Sequence, residues 1–210
     1  MEKEKQIVKE EFDIQNKLFA EHFNNVESML NLSLIWSDSF PDFYPYRSEM
    51  NQYQPIRYYK NRPKTLEGKI LNKYENDKFI YSAKYGKETW GQVFYLYEYG
   101  IKKRLLYIKE KDEYILSQLD YLIASENIIS KRLFLMRVGE KETFMLDNYS
   151  YDVKGRIHYI TRDSYLNNED NILPVRTFRF EYDEHSKVTI FSKQLKLNGD
   201  YQENQIYREK

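Results

Sequence analysis

The sequence predicts an α+β fold that is mostly β: a long N-terminal helix packed on a twisted antiparallel β-meander of about ten strands. Three observations lead there. An apolar stripe at helical spacing opens the chain, period-two alternation fills most of the chain after residue 65, and a tyrosine-led hairpin phrase recurs. The 210 residues read as a single domain, with the helix in 1–35, an irregular segment in 36–64 and the meander in 65–210.

The helix rests on Val8, Phe12, Phe19, Phe23, Val26 and Leu30, which form one stripe over residues 3–31, a stretch without Gly or Pro. The opposite face is Glu, Lys, Gln and Asn. His22 lies beside the stripe and reads as a boundary residue with one ring nitrogen in water. A stripe this long needs a sheet or another chain to bury it.

Residues 36–63 change character. Pro41, Pro45, Pro55 and Pro63 rule out a long helix or a central strand. Yet Trp36, Phe40, Phe43, Tyr44, Tyr46, Tyr53, Tyr58 and Tyr59 make the segment too aromatic for a disordered linker. It reads as ordered, irregular chain wrapped over the sheet. Its rings either plug the open end of the core or line a groove for a partner. The candidate partner-binding residues are Trp36, Phe43, Tyr44, Tyr46, Arg57, Tyr58 and Tyr59, because irregular backbone hides rings less readily than paired strands do.

From Thr65 onward the period is two. Val93, Tyr95, Tyr97 and Tyr99 share one strand face, and Phe178, Phe180 and Tyr182 oppose Thr177, Arg179 and Glu181. This is the pattern of antiparallel strands with one buried face. Turns are expected at Glu75-Asn76-Asp77, Gly86, Gly139, Lys154-Gly155, Asn167 to Asn171 and Asn198-Gly199. Residues 112–130 fit a helical face through Ile115, Leu119, Leu122 and Ile123, but the surrounding hairpin phase favours strand. The 21 Tyr suit sheet faces that are partly wet, since each ring keeps a polar tip.

The recurring phrase is clearest at Tyr149-Ser150-Tyr151-Asp152-Val153-Lys154-Gly155-Arg156-Ile157. Phe180-Glu181-Tyr182-Asp183-Glu184-His185-Ser186-Lys187-Val188 repeats it with Ser-Lys for Gly-Arg, and Tyr97-Glu98-Tyr99-Gly100 opens a third copy without the aspartate. Each copy is a strand arriving, a polar reversal and a strand leaving. Asp152 can accept backbone N–H groups within the turn, Gly155 can take a positive φ, and Arg156 has a carboxylate to pair with. Copies about 26 residues apart would hold two strands and two turns, with an insertion at Asn167–Pro174 stretching the last interval. The phrase resembles the YD repeat of Rhs-type proteins, and the likeness covers about a third of the chain. In that family such repeats form long arrays that enclose toxins or bind carbohydrate. Here the resemblance implies stacked hairpins.

Composition narrows function by exclusion. With 33 basic and 33 acidic residues, the chain has no general attraction to nucleic acid or anionic membrane. No apolar run is long enough to span a bilayer as a helix, and no h-region follows Met1, so a cytoplasmic protein is expected. There are no cysteines, hence no disulfides and no thiolate chemistry. No phosphate loop, nucleophile elbow or zinc-protease helix occurs, and His22, His158 and His185 lack ligand spacing, so neither cofactor nor metal is implied. Lys102-Lys103-Arg104 reads as a solvated hairpin tip. Arg57-Tyr58-Tyr59-Lys60-Asn61-Arg62 has the makings of a base-stacking cluster, but one cluster on a neutral chain argues against nucleic acid as the partner.

The favoured reading is a non-catalytic binding protein, of the immunity type that recognises a protein partner. The alternatives are a carbohydrate-binding module using Trp36, Trp90 and the tyrosine-rich face, and a hydrolase with carboxylates in a cleft roofed by residues 36–63.

Overall fold

The computed structural model describes residues 2–86, 89–125, 128–166, 171–196 and 199–210. Two helices open the chain, α1 (Glu2–Gln15) and α2 (Phe19–Ser28), and a one-turn α3 (Arg47–Met50) follows β1 (Ser33–Ser37). Next come β2 (Tyr58–Tyr59), β3 (Ile70–Glu75), β4 (Lys78–Tyr85), β5 (Thr89–Glu98) and β6 (Ile101–Glu110). The meander continues with β7 (Glu113–Ser125), β8 (Ile128–Val138), β9 (Lys141–Tyr151) and β10 (Ile157–Leu166). It ends with β11 (Asn171–Tyr182), β12 (Val188–Leu195) and β13 (Tyr201–Arg208). Among the described residues these form one antiparallel sheet of 13 strands in the order β13 to β3 by sequence, then β1 and β2.

The expected single long helix is two. Gln15 O, which closes the last turn of α1 with Leu18 N–H, also accepts the Tyr107 hydroxyl at 2.5 Å, and Asn16 Oδ1 accepts Leu116 N–H at 2.8 Å. A straight rod diverges from a twisting sheet, and these two bonds break it where it must turn. Leu30, expected in the stripe, lies beyond α2 and is 81% exposed. The strand count exceeds about ten partly because β1 and β2 arise in segments that read as helical or irregular. Residues 113–125 are strand, as expected, forming β7.

One face of the sheet carries α1 and α2. Beneath them Phe94, Leu105, Leu119, Leu135 and Phe144 stand opposite one another on successive strands, a continuous apolar row from β5 to β9. Each such side chain contributes about 1.5–3 kcal/mol by leaving water. His22 is buried in this layer rather than at its boundary. Its Nε2 donates to Gln15 Oε1 at 2.6 Å.

The other face is covered by residues 38–57, so the central strands are buried on both sides, against the expectation of one wet face. This segment also shows that the sheet curls. Arg47 and Ser48 line a cleft with Lys84 on β4, while α3 packs against β12 and β13. In a flat sheet β4 and β12 would lie about 38 Å apart, at about 4.8 Å per strand. One turn of helix reaches both only if the sheet wraps around it, as open sheets beyond about ten strands do.

The hairpin phrases form hairpins. Asp152 Oδ1 accepts Lys154 N–H and Arg156 N–H, each at 2.9 Å, and its Oδ2 pairs with the Arg156 guanidinium. Asp183 repeats this with His185 and Lys187 N–H. Gly155 has φ +75° and Ser186 φ +63° at the matching step. Each turn's tyrosine reaches one strand back: Tyr151 Oη donates to Ile129 O at 2.7 Å and Tyr182 Oη to Ile157 O at 3.0 Å. The expected turn at 167–171 falls on residues outside the described set except Asn171, which begins β11, and Asn198 is also outside it. Pro174 lies within β11 rather than in a lengthened turn. The pairing register shifts there between Arg162 and Ser164, and a bulge is where a strand tolerates proline.

Two measurements probe this layout. Gly155→Val has room for its side chain but not the backbone, so it should lower stability by about 1–3 kcal/mol in thermal denaturation. Burial holds the His22 imidazole below its usual value of 6.5, with Glu21 opposing and Lys103 adding to that effect. The unfolded chain therefore takes up the proton first, and the melting temperature should fall as pH drops from about 6.5, before carboxylates titrate. His22→Gln should flatten that part of the profile.

Candidate binding site

The segment 38–57 sits on a row of buried charge. Arg104 (β6), Asp120 (β7), Arg132 (β8), Asp147 (β9) and Arg162 (β10) alternate in sign across five neighbouring strands, and all are buried. Arg104 Nη1 meets Asp120 Oδ2 at 3.3 Å, and Arg132 Nε donates to Asp120 Oδ1 at 2.7 Å. Arg132 Nη1 reaches Asp147 Oδ2 at 2.9 Å, and Arg162 grips both Asp147 oxygens at 2.7 and 2.9 Å. Burial works to raise the Asp147 carboxyl, but Arg132 and Arg162 outweigh it and hold the group below its usual range.

The row continues as polar groups toward both edges. On one side Arg176 Nε donates to Ser192 Oγ at 2.7 Å. On the other, Ser82 Oγ donates to Asn72 Oδ1 at 2.6 Å and Asn72 Nδ2 to Ser37 Oγ at 2.8 Å. Residues 38–57 roof this row with rings. Tyr44 lies 4.4 Å from the Arg132 guanidinium and Phe40 5.7 Å from that of Arg104. Lys102-Lys103-Arg104 is therefore no solvated tip. Lys103 is buried against Glu11 and Glu98, at 3.0 and 2.8 Å, and Arg104 belongs to the row. Alternating cross-strand charge selects these residues because like charges opposite each other would repel. The sequence carries the signal as Arg and Asp recurring 16, 12, 15 and 15 residues apart.

The candidate residues separate. Tyr44 is buried in the core, and Phe43 and Tyr46 pack on Tyr95 and Phe180 with ring centroids 5.7 and 5.1 Å apart. Trp36 is buried on β1 and tilts against Tyr85 at 5.5 Å. Tyr59 carries Lys69 over its ring at 4.8 Å. Arg57 and Tyr58 remain exposed, Tyr58 at 44%. Tyr53 is exposed with the residues around Arg47, and Leu34 on the opposite face of β1 from Tyr58. Of the two tryptophans only Trp90 is exposed, with Lys84 over it at 4.9 Å.

Two clefts open on this side. The larger, about 510 Å³, lies between residues 38–57 and the start of the sheet, where Arg47, Lys84 and Asp38 give it mixed charge. The smaller, about 220 Å³, is lined by Ile35, Tyr58, Tyr74, Asp77 and Phe79. Burial pushes the Tyr58 phenol up, and Asp42, Tyr95 and Asp38 add to the effect. Asp77, with φ +61°, was legible only as a turn residue, and Ile35, Tyr74 and Phe79 only as strand or helix positions. Among the described residues no three His, Asp or Glu side chains come together to hold a metal. The carboxylates beneath 38–57, Asp120 and Asp147, are each held by two arginines.

Asp147→Ala leaves Arg132 and Arg162 buried and short of a partner, and should cost about 3–5 kcal/mol in denaturant titration. Glu203→Ala removes an exposed partner of Arg179 at 2.7 Å and should cost no more than about 1 kcal/mol.

Comparison with known proteins returns no match to a family model, a curated protein or a solved structure.

Proposed function

We propose that the protein is a non-catalytic recognition module that binds a protein partner in the cytoplasm, in the manner of an immunity protein. The observation that carries this reading is the division of the 36–59 aromatics. Most lock onto the sheet, while Tyr53 and Tyr58 stand exposed on the rigid support they create. Binding energy concentrates at such aromatic and arginine anchors on firm ground. Arg57 adjoins them, its backbone N–H bonded to Asp38 Oδ1 at 3.0 Å, which fixes the start of β2. The likeness of the hairpin phrase to YD repeats, whose arrays enclose toxins, supports a place in toxin neutralisation. Locking Asp120 and Asp147 into ion pairs favours recognition over hydrolysis.

The test compares Tyr58→Ala and Tyr44→Ala in affinity capture from the native host, with melting temperatures measured alongside. Tyr58→Ala should lose a specific partner by about 30-fold or more in affinity at unchanged melting temperature. Tyr44→Ala should instead lose about 3–5 kcal/mol of stability, as large buried rings do. A partner retained undiminished by Tyr58→Ala would remove the exposed segment from the binding surface.

A further inference from the structure

The small cleft on β1–β4 has a chemistry of its own. Its walls are Ile35 and the rings of Tyr58, Tyr74 and Phe79, and its one charged lining group is Asp77. At about 220 Å³ it is smaller than the roughly 300 Å³ where small-molecule sites begin, and it suits one long side chain. Two more carboxylates, Asp42 and Asp38, are close enough to act on the Tyr58 phenol. Asp42 is matched by Arg47 at 3.2 Å, and Asp38 accepts the Arg57 backbone N–H. Among the described residues Asp77 has no ion-pair partner.

Tyrosine rings elsewhere on the sheet already carry lysines. Lys69 lies over Tyr59 at 4.8 Å and Lys78 over Tyr97 at 5.4 Å. Among the described residues no cation stands over Tyr58, Tyr74 or Phe79. A ring's negative face attracts a cation most strongly where water is partly excluded, and a carboxylate at the rim adds direction. An anion would meet Asp77, whose exposed carboxylate at the rim is open to a cation.

We infer that this cleft receives one lysine or arginine side chain of the protein partner, held by the rings of Tyr58, Tyr74 and Phe79 and paired to Asp77. The inference rests on the protein-recognition reading above and gives it a substrate class.

The test titrates the protein with N-acetyl-arginine amide and N-acetyl-lysine amide, following the amide signals of residues 35, 58, 74, 77 and 79 by NMR. N-acetyl-norleucine amide serves as the neutral isostere and methyl glucoside as the sugar control. At least one cationic probe should bind saturably in the millimolar range, about tenfold tighter than norleucine amide, and weaken with added salt. Asp77→Asn should remove that preference at unchanged melting temperature, since asparagine accepts the same left-handed backbone. Equal binding of norleucine amide, tighter binding of methyl glucoside, no saturable binding of either cation, or an unaltered preference in Asp77→Asn would each overturn the inference. If the cations fail while Tyr58→Ala still loses its captured partner, the cation site falls and protein recognition stands. If the cations bind as expected but no partner depends on Tyr58, the cation site stands and the recognition reading falls.

Discussion

The fold depends on a row of opposite charges buried between its layers. Arg104, Asp120, Arg132, Asp147 and Arg162 span the middle of the sheet, and each carboxylate is gripped by two guanidiniums. Buried ion pairs often add little net stability, because desolvation offsets attraction. Their stronger effect is on alternatives. Slipping any of these strands by one residue would turn its charge toward the apolar layer under α1 and α2, a cost no other contact there could offset. A meander of similar hairpins has many near-equivalent registers, and the row separates the right one from its neighbours.

The row also explains the aromatic load of residues 38–57. A guanidinium between carboxylates has its edges satisfied and its flat faces open, and rings suit those faces. Phe40 and Tyr44 come from the covering segment, and Phe134 and Phe178 from the sheet itself. A helix would present one regular stripe to this surface. The proline-broken chain can aim each ring separately, which is why an irregular segment forms the second layer. The same irregularity leaves Tyr53 outside, and Tyr58 follows on the edge strand β2, so the packing of the interior sets what stays exposed.

What the sequence revealed tracked the range of the forces involved. The turns at Asp152 and Asp183 were legible because their bonds close within four residues. The strand at 113–125 was legible only in part, because its apolar positions also fit a helical face and only the neighbouring phase pointed to strand. The break between α1 and α2 was not, since it depends on Tyr107 and Leu116 far along the chain. Arg104 reads as a tip residue because hairpin rhythm locates a turn but not the depth of the next strand. The small cleft needed β1, β3 and β4 side by side before Asp77 could be seen as anything but a turn residue. Burial of Tyr44 and exposure of Tyr58 were likewise invisible, as both lie in the same composition.

The placing of the covering segment has a kinetic side. Residues 38–57 leave the ribosome before any strand of the meander beyond β1, yet their partners include Arg132 and Phe180. Neighbouring hairpins can form quickly, since their contacts are local, but the second layer must wait for a loop spanning most of the chain to close. Until β11 is made, Tyr44, Tyr46 and Met50 have no completed surface to enter, and the Arg–Asp row lies open to water. The segment made early is thus among the last to settle, and the unfinished sheet spends its synthesis with one face bare.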